Sequence, residues 1–284
     1  LRSRLSMHID IGTMTSPVIV FGGPYSNLAA LTAMKQKSAE LQVPATNIIC
    51  TGDVVAYCAQ AQETIDLIRD WGIHVVQGNC EDSLANDKED CGCGFDEESV
   101  CDIASKQWFA FARKAVNKES KNWMATLPTS ISFSYNHTAM HVIHGGLEQQ
   151  NQFIFASSST KEKQKQLETA HANVMIGGHC GIPFGQQLDA NHYWLNAGVI
   201  GMPANDGEAS TWYMTLSKSA SHIEVAWHRL RYTVSDTVSA MQTHQLCPGY
   251  AEALESGLWP SLDILPDPER KQVGEKMHLA TIKI

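Results

Sequence analysis

The 284-residue chain is short of basic residues: 21 Lys and Arg stand against 30 Asp and Glu, a formal net charge of -9. That balance argues against a general nucleic-acid-binding surface. It leaves room for a small anionic ligand, because one local cation can outweigh the global charge. No apolar run approaches the roughly 20 residues that span a bilayer. Residues 1–21 carry two arginines, but Asp10, Gly12 and Pro17 interrupt any signal-peptide core. These absences lead us to expect a cytoplasmic protein with no membrane partner. Met7 and Met14 are alternative starts, and residues 1–17 read as an N-terminal extension. Eight cysteines are too sparse for a disulfide scaffold in a chain of this size. There is no Gly-x-Gly-x-x-Gly after Val18–Phe21 and no Gly-Lys-Ser/Thr, so neither a dinucleotide site nor a P-loop is supported.

What is present is globular: 43% of residues are hydrophobic and 18% charged. Short apolar strands alternate with amphipathic helices. Strands are expected at Val18–Phe21, Asn47–Thr51 and His74–Gln77, and helices at Asn27–Leu41, Gln62–Trp71, Ile103–Val116 and Ser120–Leu127. A hairpin follows, Ile131–Tyr135 with Thr138–Ile143, turning at Asn136-His137. Lys161–Ala170 reads as a helix and Val174–Ile176 as a strand; residues 186–231 read as several strands. Helices at Ser235–Gln245 and Ala251–Ser256 precede an irregular tail, 259–284. This order suggests one α/β domain over 18–258, with a mixed sheet or two packed sheets. Residues 81–101 read as an acidic, cysteine-containing insertion.

Four strands end in small-residue turns carrying a ligand-type side chain: Gly52-Asp53, Gly78-Asn79-Cys80-Glu81, His144-Gly145-Gly146 and Gly177-Gly178-His179. Singly, Asp53 is read as a helix cap, Asn79 as a turn residue, and His144 and His179 as hydrogen-bonded core histidines. Together, at strand ends where α/β proteins gather ligands, they read as a hard-to-borderline N/O metal site. A fifth strand end, Val18–Phe21, runs through Gly22-Gly23-Pro24-Tyr25 into a helix near Asn27 with no Asp, Glu, His or Lys between.

The series Gly52-Asp53, Gly78-Asn79-Cys80-Glu81, His144 and Gly178-His179 resembles the calcineurin-like metallophosphoesterase superfamily, most closely its small bacterial YfcE-type and diadenosine-tetraphosphatase-like phosphodiesterase branch. Asn27–Leu31, Gly52–Ile65 and Trp194–Gly207 resemble further family segments, so the likeness runs from about residue 18 to 258. The resemblance implies a four-layer sandwich of two mixed β-sheets flanked by helices. It implies a two-metal phosphoesterase in which Asp53 bridges the metals and Asn79, His144 and His179 complete one site. The other site departs from the pattern. Gly23 and Tyr25 stand where the family's first Asp-any-His is expected, and Gly181 replaces the second His of Gly-His-any-His. Cys80 stands where many relatives carry a leaving-group acid, and it counts among the catalytic candidates with Asp53, Asn79 and His144.

The expectation is therefore hydrolysis of a small phosphomonoester or phosphodiester, nucleotide-like molecules among the candidates, with one Mn, Fe or Zn ion per chain, or at a rebuilt site. Gly23, Tyr25 and Asn27 are the candidates for binding the phosphate. Tyr25 as phenolate, or Cys91, Cys93, Cys180 and Cys80 as soft ligands, are the candidates for rebuilding. The alternative is a non-hydrolytic metal- or phosphate-binding protein that senses or scaffolds.

Overall fold

The computed structural model describes residues 7–284, so residues 1–6 of the expected extension lie outside the described residues. Its strands are β1 (His8–Met14), β2 (Val18–Phe21), β3 (Ile48–Cys50), β4 (His74–Val75), β5 (Ser130–Tyr135), β6 (Thr138–Ile143), β7 (Val174–Gly177), β8 (Phe184–Gln187), β9 (Tyr193–Asn196), β10 (Thr211–Lys218), β11 (Ile223–Leu230) and β12 (Ile282–Lys283). Its helices are α1 (Leu28–Glu40), α2 (Ala61–Trp71), α3 (Asn79–Ala85), α4 (Val100–Ala115), α5 (Lys118–Ala125), α6 (Thr160–Ala170), α7 (Val234–Thr243), α8 (Pro248–Ser256) and α9 (Asp267–Arg270).

Two six-stranded mixed sheets result, ordered β1-β5-β6-β7-β9-β8 and β12-β11-β10-β2-β3-β4. The Val18–Phe21 run shows why they stack. Successive side chains on a strand point to opposite faces. Val18 and Val20 enter the core between the sheets, with Ile49, Val142, Ile176 and Met214. Ile19 and Phe21 enter a second core under the helices, with Leu31, Ile65 and Phe109. A strand covered on both faces must be apolar throughout, and this one is. The other sheet's outer face packs against Leu167 of α6 and Leu265 near the C-terminus. Helices, sheet, sheet and helix make four layers, as the motif series implied.

Two expectations give way. Residues 8–14 are not a loose extension: β1 pairs in parallel with β5, His8 opposite Ser130 and Met14 opposite Tyr135. The tail is not wholly irregular either, since β12 adds to β11 through Glu224–Lys283 and Val225–Ile282. The expected hairpin is in place, with Asn136 and His137 both at positive φ as a tight two-residue turn requires. No helix among the described residues is long and apolar enough to cross a membrane.

Lys163 is fully buried on α6, where its Nζ donates to Ala156 O at 3.0 Å and Gln186 Oε1 at 2.7 Å. Burial lowers its pKa to about 8, whereas an unfolded-chain lysine titrates near 10.4. Between those values the unfolded state binds more protons, so stability rises with pH across that window. Lys163→Met, of similar length, should lack this component. Urea unfolding from pH 8 to 10 should show wild type gaining on the variant, by at most about 1 kcal/mol per pH unit; parallel curves would show that Lys163 keeps its proton.

Candidate metal centre

The site is assembled from the carboxyl ends of β3, β4, β6 and β7. The turn after β3 is held by one side chain, Glu81, itself fully buried. Its Oε2 accepts the backbone N–H groups of Asp53 at 2.8 Å and Gly78 at 2.9 Å, and its Oε1 accepts that of Val54 at 2.8 Å. Gly78 is the N-cap of α3 and Glu81 the third residue of its first turn, so the Glu81–Gly78 contact is half of a capping box. The same carboxylate thus ties the start of α3 to the Asp53 turn. Asp53 sits there at φ 56, an uncommon conformation for a non-glycine residue. Gly78 must lack a side chain: a Cβ would lie 2.3 Å from Asp53 Oδ1 and 2.5 Å from Asp53 N.

Four side-chain atoms from four turns then converge. His144 Nε2 lies 2.9 Å from Asn79 Oδ1, 3.1 Å from His179 Nδ1 and 3.2 Å from Asp53 Oδ2. His179 Nδ1 is 4.0 Å from Asp53 Oδ2. The outward hydrogen bonds fix what each presents. Nδ1 of His144 faces Thr51 O at 2.7 Å, so it carries the proton and leaves a lone pair on Nε2 in the neutral ring. The Asn79 amide donates Nδ2–H to Cys91 O at 3.0 Å, which turns Oδ1 toward His144. A carboxylate oxygen, an amide oxygen and two imidazole nitrogens therefore aim lone pairs at one point. Asp53, His144 and His179 are the metal-capable cluster of acid, His and Cys groups among the described residues. Mutual repulsion of such acceptors is relieved by a shared cation, and this O/N set suits a borderline divalent or trivalent ion.

Without an ion, the same acceptors favour a proton on His144. Burial alone would raise the Asp53 carboxyl, but the charge and hydrogen bond of His144, then His179, outweigh it and hold Asp53 below the usual carboxylate range. Burial opposes protonation of His144, yet Asp53 raises it above the ordinary histidine value. His179 falls to about 3, through burial and then repulsion by His144, and stays neutral. Its Nε2 has no hydrogen-bond partner, and Phe153 packs on its ring at 4.3 Å. Cys80 N–H donates to Asp53 Oδ1 at 3.2 Å. Burial and then Asp53 push the Cys80 thiol well above its usual pKa, which makes it a poor proton donor to a leaving group.

The other side of Asp53, where the motif comparison leaves Gly23, Tyr25 and Gly181, is built of aromatic surface. The Tyr25 ring lies over Gly23, whose Cβ would come within 2.6 Å of Tyr25 Cε1 and Cζ. Trp259 lies over Gly181, whose Cβ would come within 3.3 Å of its ring. A cavity beside Asp53 and His179 is walled by Tyr25, Tyr57, Phe95, Phe153, Tyr250 and Trp259, and no Lys or Arg lines it. Without a metal, burial and then Asp53 hold the Tyr25 phenol well above its usual pKa.

The expected soft ligands change character as well. Cys91 and Cys93 are joined in a disulfide rather than presented as two thiolates. Cys93 Sγ lies 3.5 Å from Asn79 Nδ2, so the expected insertion does reach the site. Cys180 lines the cavity, but its Sγ is engaged by Asn196 Nδ2 at 3.3 Å and burial raises its pKa to about 12. Asn27 is engaged elsewhere: its Oδ1 caps α1 through Ala30 N and accepts from Thr237 Oγ1, and its Nδ2 donates to Gly201 O and Tyr232 Oη. Sequence reasoning did not assign Glu81, Tyr57, Phe153, Tyr250 or Trp259 to the site. Only Glu81 carried a usable signal, its three-residue spacing from the Gly78 cap.

Fold and site together give an α/β sandwich with one metal-capable cluster, Asp53, His144 and His179, beside Asn79. Residues 29–219 match the model of the calcineurin-like phosphoesterase superfamily domain, and the chain belongs to that superfamily. No curated protein matches it in sequence. Among solved structures it is similar to a metallophosphoesterase from Sphaerobacter thermophilus, at 18% identity and TM-score 0.66, covering 86% of this chain and 100% of that one. It is also similar to a hypothetical protein from Pyrococcus horikoshii OT3, at 16% identity and TM-score 0.69, covering 87% and 100%. At these identities the likeness establishes the fold.

Gly78→Ala tests how tightly the cluster depends on the β3 and β4 turns. The added methyl must displace Asp53, so the variant should bind transition metal at least about tenfold more weakly by titration calorimetry, a loss of ~1.4 kcal/mol or more. Gly72→Ala, where a Cβ meets nothing within 4 Å, serves as the control. It should cost about 1 kcal/mol of stability through its positive φ while leaving metal affinity unchanged.

Proposed function

We propose that this chain is a metal-dependent phosphoesterase that hydrolyses a phosphomonoester or phosphodiester at a one-metal site. The observation that carries the reading is the convergence of Asp53 Oδ2, Asn79 Oδ1, His144 Nε2 and His179 Nδ1, with the outer atoms of His144 and Asn79 locked by Thr51 and Cys91 carbonyls. These four residues would hold one Mn, Fe or Zn ion. Such an ion, when bound, would supply Lewis acidity toward a phosphoryl oxygen and make water more acidic. The chain's own groups set the rest. Asp53 contributes the single full negative charge among the four ligands and so leaves a divalent centre net positive. Phe153 packs on His179 and keeps that flank dry. Cys80, held protonated, is a weak acid for a departing group, so the site suits esters whose leaving group needs little help.

The finer placement in the YfcE-type or diadenosine-tetraphosphatase-like branch rests on the order and spacing of the motifs from Gly52 to His179. A cytoplasmic setting belongs to the same reading: six of the eight cysteines are free thiols, and the single Cys91–Cys93 pair makes no disulfide scaffold.

A second reading has its own support. Tyr25 over Gly23 and Trp259 over Gly181 fill the region where a second metal's ligands would stand, which favours a binder that retains metal or phosphate without turnover. Elemental analysis of the purified chain, joined to a panel of phosphomonoesters and phosphodiesters, separates the two. The hydrolase should carry about one metal per chain, and His144→Ala should lose both the metal and at least ~100-fold in kcat/KM. Stoichiometric metal with no turnover on any ester would overturn hydrolysis and support the binder.

A further inference from the structure

We infer that Tyr25, Tyr57 and Tyr250 form a neutral hydrogen-bonding wall for the phosphoryl group of a singly charged phosphodiester, and that the adjoining Phe95, Phe153 and Trp259 take its aromatic or apolar ester group. The inference deepens the hydrolytic reading and rests on it for the position of the phosphorus, beside the Asp53–His179 cluster.

The three tyrosines touch one another in series. The Tyr25 and Tyr57 rings meet edge to face with centroids 4.9 Å apart, and Tyr57 meets Tyr250 at 4.6 Å. All three line the cavity that also contains Asp53 and His179. None of their hydroxyls has a hydrogen-bond partner among the described residues; Tyr232, by contrast, is held by Asn27. None of the three hydroxyls is among the sealed polar atoms without a partner, so they open onto the cavity and are free to donate to a ligand there. A tyrosine phenol ordinarily titrates near 10, so each of the three is an O–H donor at neutral pH.

Charge selects the ligand. A divalent ion beside the Asp53 carboxylate leaves at most about one net positive charge, and the buried Glu81 behind Asp53 lowers it further. The cavity adds no Lys or Arg to it. A phosphodiester carries one negative charge and matches that centre. A phosphomonoester near pH 7 carries nearly two, its second pKa being about 6, and would bring uncompensated charge into an aromatic pocket. Phenols can stabilise phosphoryl oxygens by hydrogen bonds but cannot neutralise a second charge. The apolar rings beside them lower the cost of an ester group that would otherwise sit in water.

The metal-loaded protein tests this with diphenyl phosphate and phenyl phosphate by calorimetry, and with bis(4-nitrophenyl) phosphate and 4-nitrophenyl phosphate by turnover. At pH 7.5 the diester should bind, and turn over in kcat/KM, at least about tenfold better than the monoester. The binding gap should narrow as pH falls through about 6, where the monoester becomes singly charged. Tyr57→Phe and Tyr250→Phe, which keep the rings, should each weaken diphenyl phosphate binding about five- to tenfold with metal content and Tm unchanged. Preference for the monoester, or phenylalanine variants that bind as wild type does, would overturn the inference while leaving hydrolysis standing. Diester binding that is tighter and tyrosine-dependent, without turnover of either ester, would uphold the wall and remove the hydrolytic reading.

Discussion

The site depends first on a buried carboxylate that touches no ligand. Glu81 is fully buried with no lysine or arginine beside it, and backbone N–H groups of Asp53, Val54 and Gly78 satisfy it instead. Those donors belong to two turns that follow different strands, β3 and β4. One acceptor therefore fixes their relative position, and Asp53 is held at a positive φ that its own preferences would not choose. Burial and then the neighbouring Asp53 charge raise Glu81 to about 7, while the N–H groups work in the opposite direction. A carboxylate that both repels Asp53 and orients it concentrates negative charge there, and a bound cation would relieve the two acids together.

The second constraint is the pairing of sheets. β3 and β4 lie in one sheet and β6 and β7 in the other. Asp53 and Asn79 thus come from one side of the sandwich and His144 and His179 from the other, and the core of Val20, Ile49, Val142 and Ile176 lies between the sheets. A site so divided is only as rigid as the packing beneath it, and that packing is dense and apolar. The Thr51 carbonyl closes the gap directly: it belongs to the β3 turn and orients the His144 ring at the end of β6.

Much of this was legible in the chain because it is local. The apolar run Val18–Phe21, the Asn136-His137 turn and the glycine-flanked ligands at four strand ends each state their structure within a few residues. What the chain hid is long-range. β1 is exposed along most of its length, so no alternation marks it; its partner Ser130 lies 122 residues from His8. β12 has two residues, too few for any period. α3 was obscured because Asn79-Cys80-Glu81 reads as a turn carrying ligands, and it is both that and the first turn of a helix. The aromatic wall is farthest from view: Tyr25 stands at a motif position, but Tyr57, Tyr250 and Trp259 arrive from separate parts of the chain and bear no motif.

That wall also gives the missing ligands a physical reading. Had Gly23, Tyr25 and Gly181 merely lost ligand side chains, open polar space would remain beside Asp53. Instead Tyr25 needs Gly23 beneath its ring, and Trp259 packs closely over Gly181, itself at φ +75. The absence of each side chain is what admits an aromatic one, so the three departures are parts of one repacking. An Asp at 23 or a His at 181 would now collide with the rings as well as introduce a charge or a polar ring into apolar surroundings. Asp53 and His179 border the same cavity as the rings, while His144 lies behind them with its Nδ1 on the Thr51 carbonyl. A dinuclear centre and this wall are therefore mutually exclusive uses of the same space.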